Sequence, residues 1–118
     1  MWEVEFTDEF RTWWNTLAES EQKSVAFGVR LLMSEGPSLG RPYVDTLKGS
    51  RHPNMKELRS QSHGEPLRSF FAFDPRRCAI LLIGGDKGGD DRFYERLIPV
   101  ADRLYDEYLE ELKKEGII

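Results

Sequence analysis

The sequence of 118 residues predicts an α+β fold, with helices packed on a small antiparallel sheet in the order β-α-α-β-β-β-α. Three observations predict this fold. Residues 2–6 alternate apolar and polar side chains, as a half-buried strand does. Residues 8–35 and the segment from Arg92 onward repeat apolar side chains at helical spacing. Between them, three short apolar runs are separated by turn residues. A chain of this length is expected to form one domain, residues 1–118.

The two helices near the N-terminus have clear end signals. Thr7 is a preferred N-cap residue, and apolar side chains then recur at helical spacing, so a short helix is predicted over residues 8–18. A second serine cap precedes a longer helical pattern over residues 21–35, which Gly36-Pro37 ends. The segment 37–54 is rich in Gly and Pro and is predicted to be an ordered loop.

Three strands are predicted at about residues 55–60, 67–73 and 78–84. Their connections are short, which makes them antiparallel hairpins. The last two strands are nearly continuous apolar runs, a pattern typical of central strands covered on both faces. A helical pattern then continues to the end of the chain, and Pro99 either starts a new helix or kinks a continuous one.

Composition excludes several classes of protein. The apolar content of 39% with 12% aromatic residues favours a folded globule over a disordered chain. No apolar run approaches the roughly 20 residues that span a bilayer, and the acidic N-terminus is unlike a secretory signal, so no membrane attachment is expected. The single cysteine, Cys78, excludes an intrachain disulfide and favours a reducing cytoplasm. It begins a predicted strand and is expected to be a buried structural thiol.

The net charge of −4 is unevenly distributed. Residues 37–77 contain eight Lys or Arg against four Asp or Glu, whereas residues 1–36 contain three against seven. A basic centre between acidic ends fits a localised anion site. Ordinary salt bridges between a basic sheet and acidic helices would give the same distribution, so both interpretations remain open.

Basic residues lie within or directly after each of the three central strands. Lys56 and Arg59 belong to the first strand, Arg68 to the second, and Lys87 follows the third. Cations at positions where apolar residues would pack better indicate an anion site, and phosphate is the anion expected.

Three strings carry a family resemblance: Lys56-Glu57-Leu58-Arg59, the run Leu-Arg-Ser-Phe-Phe-Ala-Phe-Asp at residues 67–74, and the run Leu-Ile-Gly-Gly-Asp-Lys at residues 82–87. In this order and spacing they resemble the RelE/ParE toxin superfamily, and they are similar to its phage-derived, HigB-like branch. The resemblance implies a RelE-like fold and the toxin of a toxin–antitoxin pair. Such a toxin cleaves mRNA in the ribosomal A site without a metal or cofactor. Its implied partner is a helix-turn-helix, HigA-like antitoxin, through which alone it would reach operator DNA.

The resemblance also implies the residues of the site. RNA cleavage without a metal requires proton transfer and stabilisation of the charge that builds on the phosphate. Arg68 matches the family arginine that contacts the scissile phosphate, and a guanidinium binds phosphate bidentately. Lys87 matches the family's terminal lysine. The alternatives are a strand-edge Arg68 paired with Glu57 or Glu65, and a solvated Lys87 beside Asp86.

Glu57, Arg59 and Tyr94 complete the candidate catalytic set. Alternation along a strand places Glu57 and Arg59 on one face and Leu58 and Lys56 on the other. Glu57 is expected to orient Arg68 or to act as a base, and an internal salt bridge is the alternative for both Glu57 and Arg59. Tyr94 resembles a tyrosine that some relatives stack on a base or use in proton transfer, but its place on the apolar stripe of the last helix equally predicts a core role.

Arg51, His52 and Lys56 are candidate RNA contacts. His52 and His63 lie in loops without a Cys or carboxylate cluster, so no metal site is predicted. The glycine-rich run around Lys87 lacks the Gly-Lys-Ser/Thr ending of a phosphate-binding P-loop and is interpreted as a loop that carries Lys87.

Two other function classes fit the same fold. The first is a ParE-like toxin that poisons DNA gyrase through its surface without being a nuclease. The second is a non-catalytic relic of the fold that binds only RNA or a protein partner. The presence of Arg68 and Lys87 favours the nuclease over both.

Overall fold

The computed structural model describes all residues, 1–118, as helices packed on both faces of one five-stranded sheet. The strands are β1 (Val4–Phe6), β2 (Val44–Thr46), β3 (Lys56–Ser62), β4 (Glu65–Phe73) and β5 (Ala79–Asp86), and the helices are α1 (Asp8–Asn15), α2 (Glu19–Glu35) and α3 (Phe93–Lys114). A short 3₁₀ turn, Gly36–Ser38, follows α2. None of the helices is both long and apolar enough to cross a membrane. The predicted α+β class is confirmed.

The sheet order is β1-β5-β4-β3-β2. The β3–β4–β5 meander is antiparallel, as the short connections predict, and β2 joins it antiparallel at one edge. At the other edge β1 pairs with β5 in parallel, so the sheet is mixed and the purely antiparallel prediction was wrong at this edge. Parallel pairing is possible here because the two helices α1 and α2 lie between the strands in sequence and carry the chain back across a face of the sheet.

The structure also contains a strand that the sequence did not predict. Val44 of β2 pairs with Leu58 of β3, within the segment predicted as a loop. The strand has only three residues, and Val44 alone among them is buried. Three residues show almost no periodic pattern in the sequence, so this strand is recognised only from its pairing with β3. Pro99 lies inside α3, which runs unbroken past it, with the proline exposed.

Each face of the sheet has its own apolar core. On the α1–α2 face, Leu58, Leu67 and Phe71 pack with Val25 and Leu32 of α2. On the α3 face, the sheet residues pack with the apolar stripe of the last helix; they are Phe70, Ala72, Ile80 and Leu82, against Phe93, Leu97, Ile98, Ala101 and Leu104. The central strand β4 is therefore covered on both sides, as its continuous apolar run predicts.

Two consecutive glycines at the end of β5 allow helices to approach from both faces. A Cβ atom on Gly84 would lie 2.2 Å from the ring of Trp13 in α1. A Cβ atom on Gly85 would lie 2.8 Å from the ring of Phe93 in α3. Gly85 therefore fixes how closely the first turn of α3 packs on the sheet.

A buried carboxylate ties the β4–β5 turn to α3. Asp74 accepts backbone hydrogen bonds from Arg76 at 2.8 Å and Cys78 at 3.1 Å, and a bond from the Arg76 guanidinium at 2.9 Å. The Tyr108 hydroxyl lies 2.9 Å from the same carboxylate. Burial alone would raise the pKa of Asp74, but these hydrogen bonds and the Arg76 charge hold it below its usual value.

The structure predicts that Gly84→Ala destabilises the fold by about 2 kcal/mol, because the new methyl group overlaps the Trp13 ring and forces the core to shift. Urea unfolding followed by tryptophan fluorescence measures the change. Gly40→Ala is the matched control, since a Cβ atom there meets nothing within 4 Å. Equal stability of the two variants would contradict the packing described for α1.

The Asp74 network predicts a loss of stability in acid. Because the folded pKa of Asp74 lies below its unfolded value of about 3.9, its contribution is present above that pH and disappears as the pH falls through the folded pKa. Asp74→Asn should lower the unfolding free energy by about 2 kcal/mol at neutral pH and by much less in strong acid. Unfolding at about pH 7 and about pH 3 tests this. Asp91→Asn, at an exposed position, is the control, and an unchanged gap between Asp74→Asn and wild type would refute the prediction.

Candidate functional site

The candidate site lies on the α3 face of the sheet, near the first turn of that helix. Arg59 of β3 and Arg68 of β4 are direct partners in the antiparallel register. Alternation places Glu57 on the same face as Arg59, since Leu58 between them points into the α1–α2 core. The orientation predicted for these side chains is thereby realised.

Arg68 is the most deeply buried cation of the site, with 5% of its surface exposed. Its Nη1 donates to the Leu67 carbonyl at 3.0 Å. Its Nε lies 3.5 Å from Oε1 of Glu57, which is also buried, and makes no hydrogen bond. A buried guanidinium with an unused donor has hydrogen-bonding capacity left for an anion.

Tyr94 joins this pair from the first turn of α3. Its hydroxyl donates to Glu57 Oε1 at 2.7 Å, and its ring is parallel to that of Phe70, with 5.9 Å between centroids. Burial and the neighbouring Glu57 raise the pKa of Tyr94. The hydroxyl therefore keeps its proton at neutral pH and acts as a hydrogen-bond donor.

Lys87 covers the outer side of this cluster. Its Nζ lies 5.5 Å from the centroid of the Tyr94 ring, a cation–π distance. Its backbone N–H donates to the Pro66 carbonyl at 3.0 Å, which holds the loop against the start of β4. The structure thus brings together Arg68, Glu57, Tyr94 and Lys87, with Arg59 beside Arg68.

The neighbours of Arg68 and Lys87 bear on the alternatives proposed for these two residues. Arg68 pairs with Glu57, as the alternative for Arg68 expects. Glu65 instead lies against Asp86, and the proximity of that second carboxylate raises the pKa of Glu65. Asp86 accepts a hydrogen bond from the Gly88 N–H at 2.8 Å and forms no ion pair with Lys87. Lys87 therefore has no carboxylate partner in the structure.

The three candidate RNA contacts lie apart from this cluster. Lys56 shares the face of Leu58, across the sheet from Glu57. Arg51 and His52 bind carboxylates of α3: the Arg51 guanidinium contacts Asp106, and His52 Nε2 lies 2.8 Å from the same residue. Asp106 is twelve residues beyond Tyr94, about 18 Å along a helix axis. A role of Arg51, His52 or Lys56 in binding RNA stays a prediction.

Phe70 is a member of the site that the sequence analysis did not name. Its ring supports Tyr94 from the centre of the sheet. The sequence could have indicated this position, because Phe70 is two residues after Arg68 on the same strand and so shares its face.

A cleft of about 670 Å³ opens beside the cluster, and Arg59 and Arg68 both line it.

A separate group of possible metal ligands lies at the β1–β5 edge. Glu3, Glu5 and Cys78 offer atoms within 4.8 Å of one another. Burial, with the charges of Glu5 and Asp74, raises the pKa of Cys78 to about 12. The thiol is therefore protonated, which suits the structural role predicted for it.

The sequence matches a family model, phage-derived protein Gp49-like, over residues 12–106. Two Mycobacterium tuberculosis proteins named as the toxins HigB2 and HigB3 are similar to it. The chain is 47% identical to HigB3 over 98 residues, which are 82% of this chain and 84% of that relative. It is 43% identical to HigB2 over 104 residues, which are 86% of this chain, and it spans about half (52%) of that relative's length.

Solved structures share the fold at low sequence identity. The isolated E. coli RelE toxin superposes with a TM-score of 0.60 at 11% identity, covering 85% of this chain and 99% of RelE. The E. coli RelBE toxin–antitoxin complex gives a TM-score of 0.57 at 12% identity, covering 72% of this chain and 95% of the matched chain. The RelE-like fold predicted from the sequence is confirmed.

We predict that Glu57→Gln destabilises the protein by about 3 kcal/mol, because it leaves the buried Arg68 charge without its counter-ion. Replacing both partners, as Glu57→Gln with Arg68→Met, should recover most of this loss, since no buried charge then remains. Urea unfolding of the two single variants and the double variant measures the coupling. Strictly additive effects would show that the two side chains do not interact.

Proposed function

Because this chain belongs to the family of phage-derived Gp49-like proteins, we propose that it is the toxin of a toxin–antitoxin pair and acts as an mRNA endoribonuclease. The observation that supports the nuclease most directly is the convergence of Arg59, Arg68 and Lys87 around the Glu57–Tyr94 pair. Two paired arginines, with Lys87 packed against Tyr94, fit a phosphodiester, although the net charge of the chain is −4.

In the proposed reaction the ribose 2′-oxygen attacks the adjacent phosphorus, a 2′,3′-cyclic phosphate forms, and the bond to the 5′-oxygen breaks. Arg68 and Arg59 bind the non-bridging oxygens, where negative charge grows in the transition state. The unused Nε of Arg68 provides a donor for this contact. The proton of the 2′-hydroxyl passes to water.

Lys87 is the residue we assign to the leaving group. Its ammonium lies on the open side of the cluster and donates a proton to the 5′-oxygen as the bond breaks. Tyr94 is less suited to this step, because its raised pKa opposes release of its proton and its hydroxyl already donates to Glu57. Tyr94 and Glu57 are therefore positioning residues that hold the Arg68 guanidinium in place.

The family supports the partners that we propose. The relatives are named as HigB-type toxins, and one similar structure is a RelE toxin bound to its antitoxin. We therefore propose a helix-turn-helix antitoxin as the inhibitor and mRNA in the ribosomal A site as the substrate.

Induced expression in a bacterium, with mapping of mRNA 5′ ends, tests the proposal. The wild type should arrest growth and create new 5′ ends within translated frames. Lys87→Gln and Arg68→Lys should each lower cleavage on the order of a hundredfold, the first by removing the proton donor and the second by removing the guanidinium fork. Lys48→Gln, at an exposed lysine outside the site, is the control and should cleave normally.

Each other outcome contradicts a defined part of the proposal. Growth arrest with intact mRNA would exclude the nuclease and favour a ParE-like poison of DNA gyrase. Absence of growth arrest would exclude the proposed function as a toxin. Full cleavage by Lys87→Gln would remove that lysine from the mechanism.

A further inference from the structure

The cleft beside the site extends well beyond the cluster described above. It lies between α2 and the edge of β3, and Lys23, Phe27, Tyr43, Ser60 and Gln61 line it together with Arg59 and Arg68. The cleft exists because β2 is short. Its three residues pair only with Lys56–Leu58, so the second half of β3 has no neighbouring strand on this side.

The charged residues that line the cleft are all basic. Its lining includes three basic side chains and no Asp or Glu, although acidic residues outnumber basic ones in the chain. Ser60 is only 8% exposed, and its Oγ has no hydrogen-bond partner. Buried polar groups are almost always satisfied, so Ser60 Oγ indicates a ligand that can hydrogen-bond to it.

The cleft also carries two exposed aromatic side chains. Phe27 of α2 is 48% exposed and Tyr43 is 37% exposed, and their ring centroids lie 6.2 Å apart. Lys23 forms an ion pair with Glu19 at 3.4 Å, but both side chains are largely exposed, so this pair is weak and Lys23 can turn to a ligand. Aromatic rings next to cations are the combination that binds bases and phosphates of single-stranded RNA.

We propose that this cleft binds a nucleotide of the substrate RNA that flanks the scissile phosphate. Its base packs against Tyr43 and Phe27, its phosphate contacts Lys23, and Ser60 Oγ hydrogen-bonds to the base or sugar. The proposal deepens the proposed function and rests on it for the identity of the RNA. It places substrate selection at the α2 side of the sheet, apart from the Tyr94–Lys87 side.

Binding of a short RNA that cannot be cleaved tests the subsite directly. The probe is a fluorescein-labelled hexanucleotide pool with 2′-O-methyl groups, which block the attacking oxygen, and the readout is fluorescence anisotropy with the purified chain. Tyr43→Leu and Phe27→Leu should each weaken binding roughly tenfold through lost stacking. Lys23→Gln should weaken it and reduce its dependence on salt. Phe6→Leu, at an aromatic residue that is 51% exposed elsewhere, should bind as the wild type does.

The outcomes separate this proposal from the nuclease itself. Wild-type affinity in both Tyr43→Leu and Phe27→Leu, or no measurable binding of the pool to the wild type, overturns the subsite. Unchanged RNA binding with weakened binding of the antitoxin would instead make the cleft a protein-docking surface, which also overturns it. If RNA binding depends on Tyr43 but the wild type cleaves no mRNA in cells, the subsite stands and the nuclease fails. If mRNA cleavage by Tyr43→Leu continues at the same sites and rate while its RNA affinity is unchanged, the nuclease stands and the subsite fails.

Discussion

The Arg68 guanidinium and the Glu57 carboxylate lie together between the sheet and α3, where both are nearly removed from water. Burying two charges is unfavourable unless each has a partner. The pair therefore needs the first turn of α3 to be close, because Tyr94 supplies the hydrogen bond that Glu57 accepts. That closeness in turn depends on the missing side chain of Gly85, which leaves room for Phe93. The geometry of the site therefore depends on how closely α3 packs on the sheet.

The two interpretations of the charge distribution each describe part of the basic centre. Some of its cations are bound by carboxylates: Arg41 pairs with Asp45, Arg51 with Asp106, and Arg76 with Asp74. These pairs fasten loops to the sheet or to α3. Arg59, by contrast, forms no ion pair and lies beside the cleft. Salt bridges therefore account for part of the basic centre, and Arg59 is a cation beside Arg68 that they leave without a carboxylate partner.

The sequence predicted most of the fold but only part of the site. Helices and the three central strands have strong periodic patterns, and the alternation along β3 correctly separated Glu57 from Leu58. The strand β2 was missed because three residues are too short to show a period, and its partner Leu58 lies far along the chain. The direct pairing of Arg59 with Arg68 depends on the hairpin register, which the turn residues alone did not define. The contacts of Arg51 and His52 with α3 depend on how that helix packs on the sheet, and no local sequence pattern predicts this packing.

The long separation between β1 and β5 has a consequence for how the molecule is made. Thr7, at the end of β1, donates its side-chain hydrogen bond to the Leu82 carbonyl, 75 residues later. The site likewise draws on residues from Glu57 to Tyr94. A ribosome releases the chain from its N-terminus, so a growing polypeptide has neither a complete sheet nor an assembled cluster until the first turn of α3 has emerged. Translation itself therefore delays assembly of the candidate site until most of the chain has been made.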